Sequence, residues 1–321
     1  MRLLHGLTAA RELPRGAVAA IGNFDGIHLG HRRIFQTAKE LVAGGHGSAF
    51  VIITFEPHPL TVLRPAEAPP RLTTAEMKEQ LLEGAGADYL LILPPEPAVL
   101  NLSAEDFWKF LRDDAAVAHL VEGATFRFGK GAKGTIDTLR RWTADSRVEL
   151  HVIESVNVSL LDMHVAPVSS SIIRFLISYG RMRDAAICLG RPYLLRGKVA
   201  RGFGRGKGLG IPTANLQCGD QLIPADGVYA GQCRIDGQLY AAAVSIGLLP
   251  TFSERVRQIE AHLIGFDGDL YDRVIDVELL DWVREQRRFP AVSELVTQIQ
   301  SDILQSRRVI QRDNLQPIAT P

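Results

Sequence analysis

Up to Gly190, short apolar runs alternate with stretches whose apolar positions recur three and four apart. The runs at 18–21, 49–55, 88–93, 119–121 and 148–153 are almost continuously apolar, the pattern of strands buried on both faces. The intervening stretches predict helices at 29–42 and 75–84, a helix after Ser103 with Phe107, Phe110 and Leu111 at core spacing, one opening at 168–174 and one over 182–189. Strands alternating with helices predict βαβ units and a parallel sheet. Gly190 followed by Pro192 then marks a helix stop and a domain boundary, which divides the chain into 1–187 and 188–321. Beyond it the period changes. Short β-rich segments at 194–199, 227–235, 238–246, 258–264 and 273–280 follow one another without helices, and Asp236-Gly237 reads as a tight hairpin. This predicts an antiparallel barrel, followed by one helix over 292–311 with an apolar stripe of Leu295, Val296, Ile299, Ile303 and Leu304.

Composition narrows the class. The 321 residues are 46% hydrophobic, and Lys+Arg equals Asp+Glu at 36 each, so the formal net charge is zero. Neutrality gives no support to nucleic-acid binding. No apolar run reaches the ~20 residues of a membrane span, and MRLLHGLTAARELPRG carries no apolar signal core. Cys188, Cys218 and Cys233 are far apart with no CxxC pair, which argues against a disulfide framework or a zinc cluster. These observations point to a soluble cytoplasmic protein; a second copy of the chain is a candidate partner.

Four stretches carry chemistry in the first half. Gly22-Asn23-Phe24-Asp25-Gly26-Ile27-His28-Leu29-Gly30-His31 joins a strand to a helix. Glycines there allow a tight turn and close approach of a ligand, and the helix start offers N–H groups and partial positive charge to phosphate. His28 and His31 fall on one face of the first turn. The run 49–55 ends in Glu56-Pro57-His58-Pro59, which places His58 and Pro59 beyond a strand's carboxyl end, where open α/β sheets bind ligands. After the fourth run, Thr125, Phe126, Arg127, Phe128, Lys130 and Lys133 lie in a glycine-rich loop. Its rings could stack on a planar group and its cations meet phosphate, or the rings could be core plugs. Val168-Ser169-Ser170-Ser171-Ile172-Ile173-Arg174 opens a helix. Its serines can cap, and Ser171 and Arg174 can face one phosphate.

The second half has one such stretch. Six glycines fall between 197 and 210, Gly202, Gly204, Gly206, Gly208 and Gly210 among them, interleaved with Arg and Lys and ending in Ile211-Pro212-Thr213-Ala214-Asn215. Such a loop can wrap a polyphosphate with backbone N–H groups, while Thr213 and Asn215 offer oxygen ligands to Mg²⁺.

GNFDGIHLGH, FEPHP, FRFGKG and SSSIIR are similar to motifs of bacterial FAD synthetases in the nucleotidyltransferase superfamily. Two positions depart from that pattern: Thr125 stands where an acidic or amide residue is usual, and Ser171 replaces Thr. GKGLGIPTANL resembles the riboflavin kinase motif. The likeness continues through 225–230, through 245–252 with Ser245 in place of Asn, through Glu260 and His262, through 269–272 with Asp272 in place of Gly, and through 282–289. Together the motifs resemble the bifunctional riboflavin kinase/FMN adenylyltransferase family from Leu13 to about Val309.

The resemblance implies an α/β chain: a Rossmann-like nucleotidyltransferase domain with a parallel sheet, then a riboflavin kinase barrel with a long terminal helix. It implies phosphorylation of riboflavin to FMN and adenylylation of FMN to FAD, with ATP at both steps and Mg²⁺ at the kinase site. On the adenylyltransferase side it implies that His28, His31, Gly22, Phe24, Asp25, Gly30, Ser170, Ser171 and Arg174 serve ATP, and that His58, Pro59, Thr125, Phe126 and Phe128 serve FMN. On the kinase side, the glycine loop with Pro212, Thr213 and Asn215 would hold ATP, flavin and Mg²⁺, and Glu260 would be the general base. A kinase with a degenerate first domain, a non-catalytic flavin binder and a nucleotidyltransferase with another phosphorylated substrate are the alternatives.

Overall fold

In the computed structural model the described residues are 1–202, 205–208, 210–248 and 257–315. Two compact units divide the chain, one of residues 1–69 and 73–157, the other of 70–72 and 158–321.

The first unit holds a six-stranded sheet in the order Arg2–His5, Tyr89–Leu93, Phe50–Phe55, Val18–Ile21, His119–Gly123, Glu149–Ile153. All its pairings are parallel. Val18–Ile21 shows why its strands read as unbroken apolar runs. Ala19 and Ile21 pack into the core on one face, Val18 and Ala20 into the core on the other. The helix Leu29–Ala43 packs Ile34, Phe35 and Ala38 into the second of these cores. Several elements of this unit lie outside those expected from the sequence. The edge strand Arg2–His5 buries only Leu4, and the helix Ile136–Ala144, capped by Thr135, is short and largely polar.

The second unit is a closed antiparallel barrel in the order Tyr193–Ala200, Ala214–Gln217, Arg257–Leu263, Gln238–Leu248, Gly227–Ile235, Val274–Arg284. Closure leaves no strand edge for another chain to pair with. Asp236 and Gly237 both have positive φ, 49° and 85°, as a two-residue hairpin of this hand needs. The terminal helix Val292–Leu315 packs Val309 and Ile310 against Ala230 and Leu280 of the barrel. Its expected stripe is corrected at one position. Leu304 is exposed, while the buried face includes Asp302 and Ser306. The burial of Asp302 is offset by Arg284, whose guanidinium donates to both carboxylate oxygens at 2.9 and 2.7 Å.

Candidate active site

In the first unit, the loop after Val18–Ile21 is held in an unusual backbone shape. Phe24 and Ile27, both buried, take φ of 47° and 43°, a region that side chains other than glycine's rarely adopt, and Gly26 lies at 82°. Asp25 Oδ1 latches the loop by accepting from the backbone N–H and hydroxyl of Thr73 at 3.1 Å each. A Cβ on Gly22 would stand 3.1 Å from the Phe24 ring. That ring packs edge-on against His31 and Phe35, with centroids 5.1 and 4.9 Å apart. The Phe24 side chain is therefore a core plug that shapes the loop.

His28 caps the following helix. Its Nδ1 accepts the His31 N–H at 3.3 Å, and the two imidazoles stack with centroids 3.6 Å apart. His31 is half-buried, but its Nδ1 is shut away from solvent and has no hydrogen-bond partner. Desolvation first, then the neighbouring His28, lowers the His31 pKa well below the usual histidine range. The Leu29 and Gly30 N–H groups lie in the first helical turn, where the helix itself supplies no acceptor. Stacked imidazoles and first-turn donors are a candidate anion site by their chemistry.

His58 lies beside this loop, with Nε2 3.1 Å from the Asn23 carboxamide. Its Nδ1 accepts the Leu60 N–H at 3.1 Å. The carboxamide atom in the Nε2 contact is Asn23 Nδ2. Pro59 precedes the short helix Leu60–Leu63.

Glu122 was not singled out in the sequence. Backbone pairing between Val18–Ile21 and His119–Gly123 stops at Ala19 and Leu120. Past that point the Ile21 N–H donates instead to Glu122 Oε1 at 2.8 Å. The carboxyl is 1% exposed, and burial pushes its pKa well above the usual carboxyl range, opposed by that one hydrogen bond. It holds the two strands at the point where the histidine loop begins. The signal was one charged residue inside an apolar strand. Lys78 is similar, buried with its ammonium 2.6 Å from Glu56.

In the Thr125 loop, Phe128 is buried in the core between Phe107 and Trp142. Of the two roles open to this ring, its burial is that of a core plug, and the crevice at Gly134, where a Cβ would fall 2.6 Å from the ring, is the reason for that glycine. Phe126 is half-buried and stacks on Phe128 at 5.6 Å, so only its outer part can meet a ligand, and Thr125 is exposed.

In the second unit, Ser169 caps the helix Ser170–Ser178 by accepting from the Ile172 N–H at 3.3 Å. Ser171 is exposed, and Arg174 is oriented by donating from Nε to the Pro70 carbonyl at 2.8 Å. These residues belong to the same compact unit as the barrel.

On the barrel, Asn215 is the register partner of Glu260, and Ser245 is its partner on the other side. All three therefore project from one face. Ser245 accepts from Gln286 Nε2 at 2.8 Å. His262 Nδ1 donates to the Pro212 carbonyl at 2.8 Å and ties the strand to the loop. Gly202 and Gly206 of the glycine loop lie close to Asn215 and Thr213. A Cβ on Gly202 would fall 2.2 Å from Asn215 Nδ2, and one on Gly206 would fall 2.3 Å from the Ile211 carbonyl oxygen and 3.3 Å from Thr213 Oγ1. Gly210 has φ of 73°, whereas Gly208 meets nothing within 4 Å. Gly204 lies outside the described residues, as do 249–252 of the expected 245–252 motif. Asp272 has φ of 62° and pairs with Lys198, so the position where a glycine is usual is a left-handed one that Asp can fill. Beside Thr213 opens a cavity of about 410 Å³, lined also by Val199, Ala261, Phe266 and Tyr271.

Sheet and barrel, each with its loop, define a two-part transferase that uses nucleoside triphosphate. A family model described as FAD synthetase matches residues 10–170, and one described as riboflavin kinase matches 189–310. A bifunctional riboflavin kinase/FMN adenylyltransferase from Pseudomonas fluorescens is 34% identical over 96% of this chain and 97% of its own length. The one from Bacillus subtilis is 32% identical over 94% of this chain and 95% of its own. A solved Streptococcus pneumoniae chain described as a macrolide-efflux protein is 27% identical with a TM-score of 0.84, over 96% of this chain and 99% of that one. The chain belongs to the bifunctional riboflavin kinase/FMN adenylyltransferase family. It is an enzyme with both transferase activities, and ATP and flavins are its substrates. Among the described residues no helix is long and apolar enough to cross a membrane.

Proposed function

We propose that the reactions are run at separate sites on this chain, FMN adenylylation with the histidine loop and riboflavin phosphorylation on the outer face of the barrel. The observation that carries the first is the stacked His28–His31 pair at a helix start, with His31 Nδ1 buried and without a partner. A triphosphate would supply the missing acceptor or draw a proton onto the pair. The FMN phosphate attacks the α-phosphorus of ATP in line, and pyrophosphate leaves. His28, His31 and the first-turn N–H groups up to Gly30 stabilise the charge that develops. Ser170, Ser171 and Arg174 offer hydroxyls and a guanidinium to the same class of ligand. Phe24, Gly22 and Asp25 act by holding the loop's shape. His58, Pro59, Thr125 and the open part of Phe126 serve the flavin nucleotide, and Phe128 serves it only by supporting Phe126.

In the barrel, Glu260 takes the proton of the ribityl hydroxyl as that oxygen attacks the γ-phosphorus of ATP. Gly202, Gly206 and Gly210 let the loop close on the polyphosphate, and Pro212 sets the entry to the Thr213–Asn215 segment. The neutral oxygens of Thr213 and Asn215, beside the Glu260 carboxylate, are a hard donor set that fits Mg²⁺. When bound, the ion neutralises phosphate charge. The functional division falls into 1–187 for adenylylation and 188–321 for phosphorylation, with the cytoplasm as the compartment.

The test is chromatography of flavins after incubation with riboflavin, excess ATP and Mg²⁺. FMN followed by FAD supports both sites. FMN alone would remove the first, and no conversion would overturn the reading.

A further inference from the structure

A second cluster of chemistry-bearing side chains lies in the first unit, away from the histidine loop. His119 and Glu149 are register partners on neighbouring parallel strands, and His151 follows Glu149 by two positions. The three side chains therefore share one face of the sheet. His119 Nδ1 is 3.1 Å from His151 Nε2 and 3.7 Å from a Glu149 carboxylate oxygen, and one ligand atom from each residue falls within 4.8 Å of the others.

The orientation of His119 is decided from behind. It is buried, and its Nε2 lies 2.6 Å from the His46 carbonyl oxygen. A carbonyl only accepts, so Nε2 carries the proton and Nδ1 carries the lone pair that faces His151 and Glu149. An imidazole whose far N–H is fixed by a backbone carbonyl is the arrangement that metal-bound histidines have. Tetrahedral zinc with bonds of about 2.0–2.1 Å sets neighbouring ligand atoms roughly 3.3 Å apart. The two measured separations bracket that value. Burial, then the neighbouring His119, lowers the His151 pKa, which favours the neutral ring a ligand must be.

We propose that His119 Nδ1, His151 Nε2 and a Glu149 carboxylate oxygen bind one divalent transition-metal ion of the zinc class, with water completing the shell. Two imidazoles and a carboxylate suit zinc and disfavour Mg²⁺, which prefers oxygen alone. On binding, the His151 proton that now points at His119 moves to the other nitrogen of its own ring, so no proton need leave the protein. Glu149 is exposed and His151 half-buried, so the ion reaches the site from solvent. His119 pairs with Val18 at the amino-terminal end of the sheet. Gly22 begins its loop four residues further on, roughly 13 Å along the strand. The ion would clip the ends of two strands and take no part in either transfer.

The test uses the full chain, stripped of metal with a chelator and held in excess Mg²⁺, titrated with Zn²⁺ by calorimetry. One equivalent is expected. Glu149→Gln should weaken it at least about tenfold and His151→Ala about a hundredfold. His28→Ala should keep that equivalent, which separates it from zinc at the histidine loop. Both cluster variants should retain FMN and FAD formation, which shows that they fold. Zinc binding equal in the parent and in both cluster variants, or absent from the parent, overturns the proposal.

Discussion

At the histidine loop of the sheet unit, Phe24 and Ile27 hold left-handed backbone although both carry large buried side chains. At the barrel loop, Gly202 and Gly206 touch Asn215, Ile211 and Thr213 so closely that no side chain fits. The first loop is shaped by filling: an aromatic plug, an Asp25–Thr73 latch and the Glu122 bridge fix a backbone that would otherwise relax. The second is shaped by omission, since a Cβ at Gly202 or Gly206 would collide with Asn215 or with the Ile211 carbonyl. Strain of the first kind needs support from its whole surroundings, about 1–3 kcal/mol per residue held there. A loop of the second kind needs only that nothing be added. The two should therefore fail differently under mutation.

The largest effect expected is at Glu260. Glu260→Gln should lower riboflavin phosphorylation on the order of a thousandfold while FAD formation from supplied FMN persists. Equal loss of both activities would mean a folding defect. His31→Ala should do the reverse, with adenylylation down on the order of a hundredfold and FMN accumulating from riboflavin. Gly202→Ala sharpens the contrast. Its methyl collides with Asn215, so kinase turnover should fall about tenfold or more with little change in melting temperature, because the collision lies in a loop outside the core.

Glu122 tests the filled loop. Glu122→Ala leaves the buried Ile21 N–H unpaired, a cost of about 1–3 kcal/mol that thermal unfolding should show. Glu122→Gln keeps an acceptor and removes the titration. The folded-state pKa is raised, so wild-type stability is fully present below the ordinary carboxyl pKa and declines as pH rises toward the raised value. The Gln variant should then gain on wild type with rising pH, by roughly 2–4 °C in melting temperature if about 1 kcal/mol is recovered. A difference independent of pH would show that the acid is not strained by burial. The smallest effect is at exposed Thr125, where Thr125→Asn keeps a hydrogen-bonding group beside the flavin nucleotide and should change the KM for FMN only about twofold, while no change there or in Thr125→Val would remove that side chain from the site.

Much of this was legible in the chain. Strand runs such as 18–21 and 49–55 read correctly because both faces of a parallel sheet are apolar, which leaves a continuous signal. The helix starts at Leu29 and Ala75 and the serine cap at Ser169 read correctly because helix-entry signals are local. The strand Arg2–His5 did not, since an edge strand that buries one leucine has no pattern to find. The position of Glu260 beside Asn215 lay in two motifs separated along the chain, and only strand register joined them.

The sequence by itself determined the alternation of elements, the change of period near Gly190 and the residue types that handle phosphate, because these depend on local periodicity and short spacing. Tertiary structure alone decided that Phe24 and Phe128 are plugs, that Leu304 faces solvent and Asp302 does not, and that Glu122 closes a gap between two strands. It also brought His119, Glu149 and His151 together. An aromatic ring is equally suited to stacking on a ligand or on its neighbours, and a carboxylate to water or to a buried N–H. Which it does depends on what packs against it from distant parts of the chain, and spacing along the sequence carries no record of that.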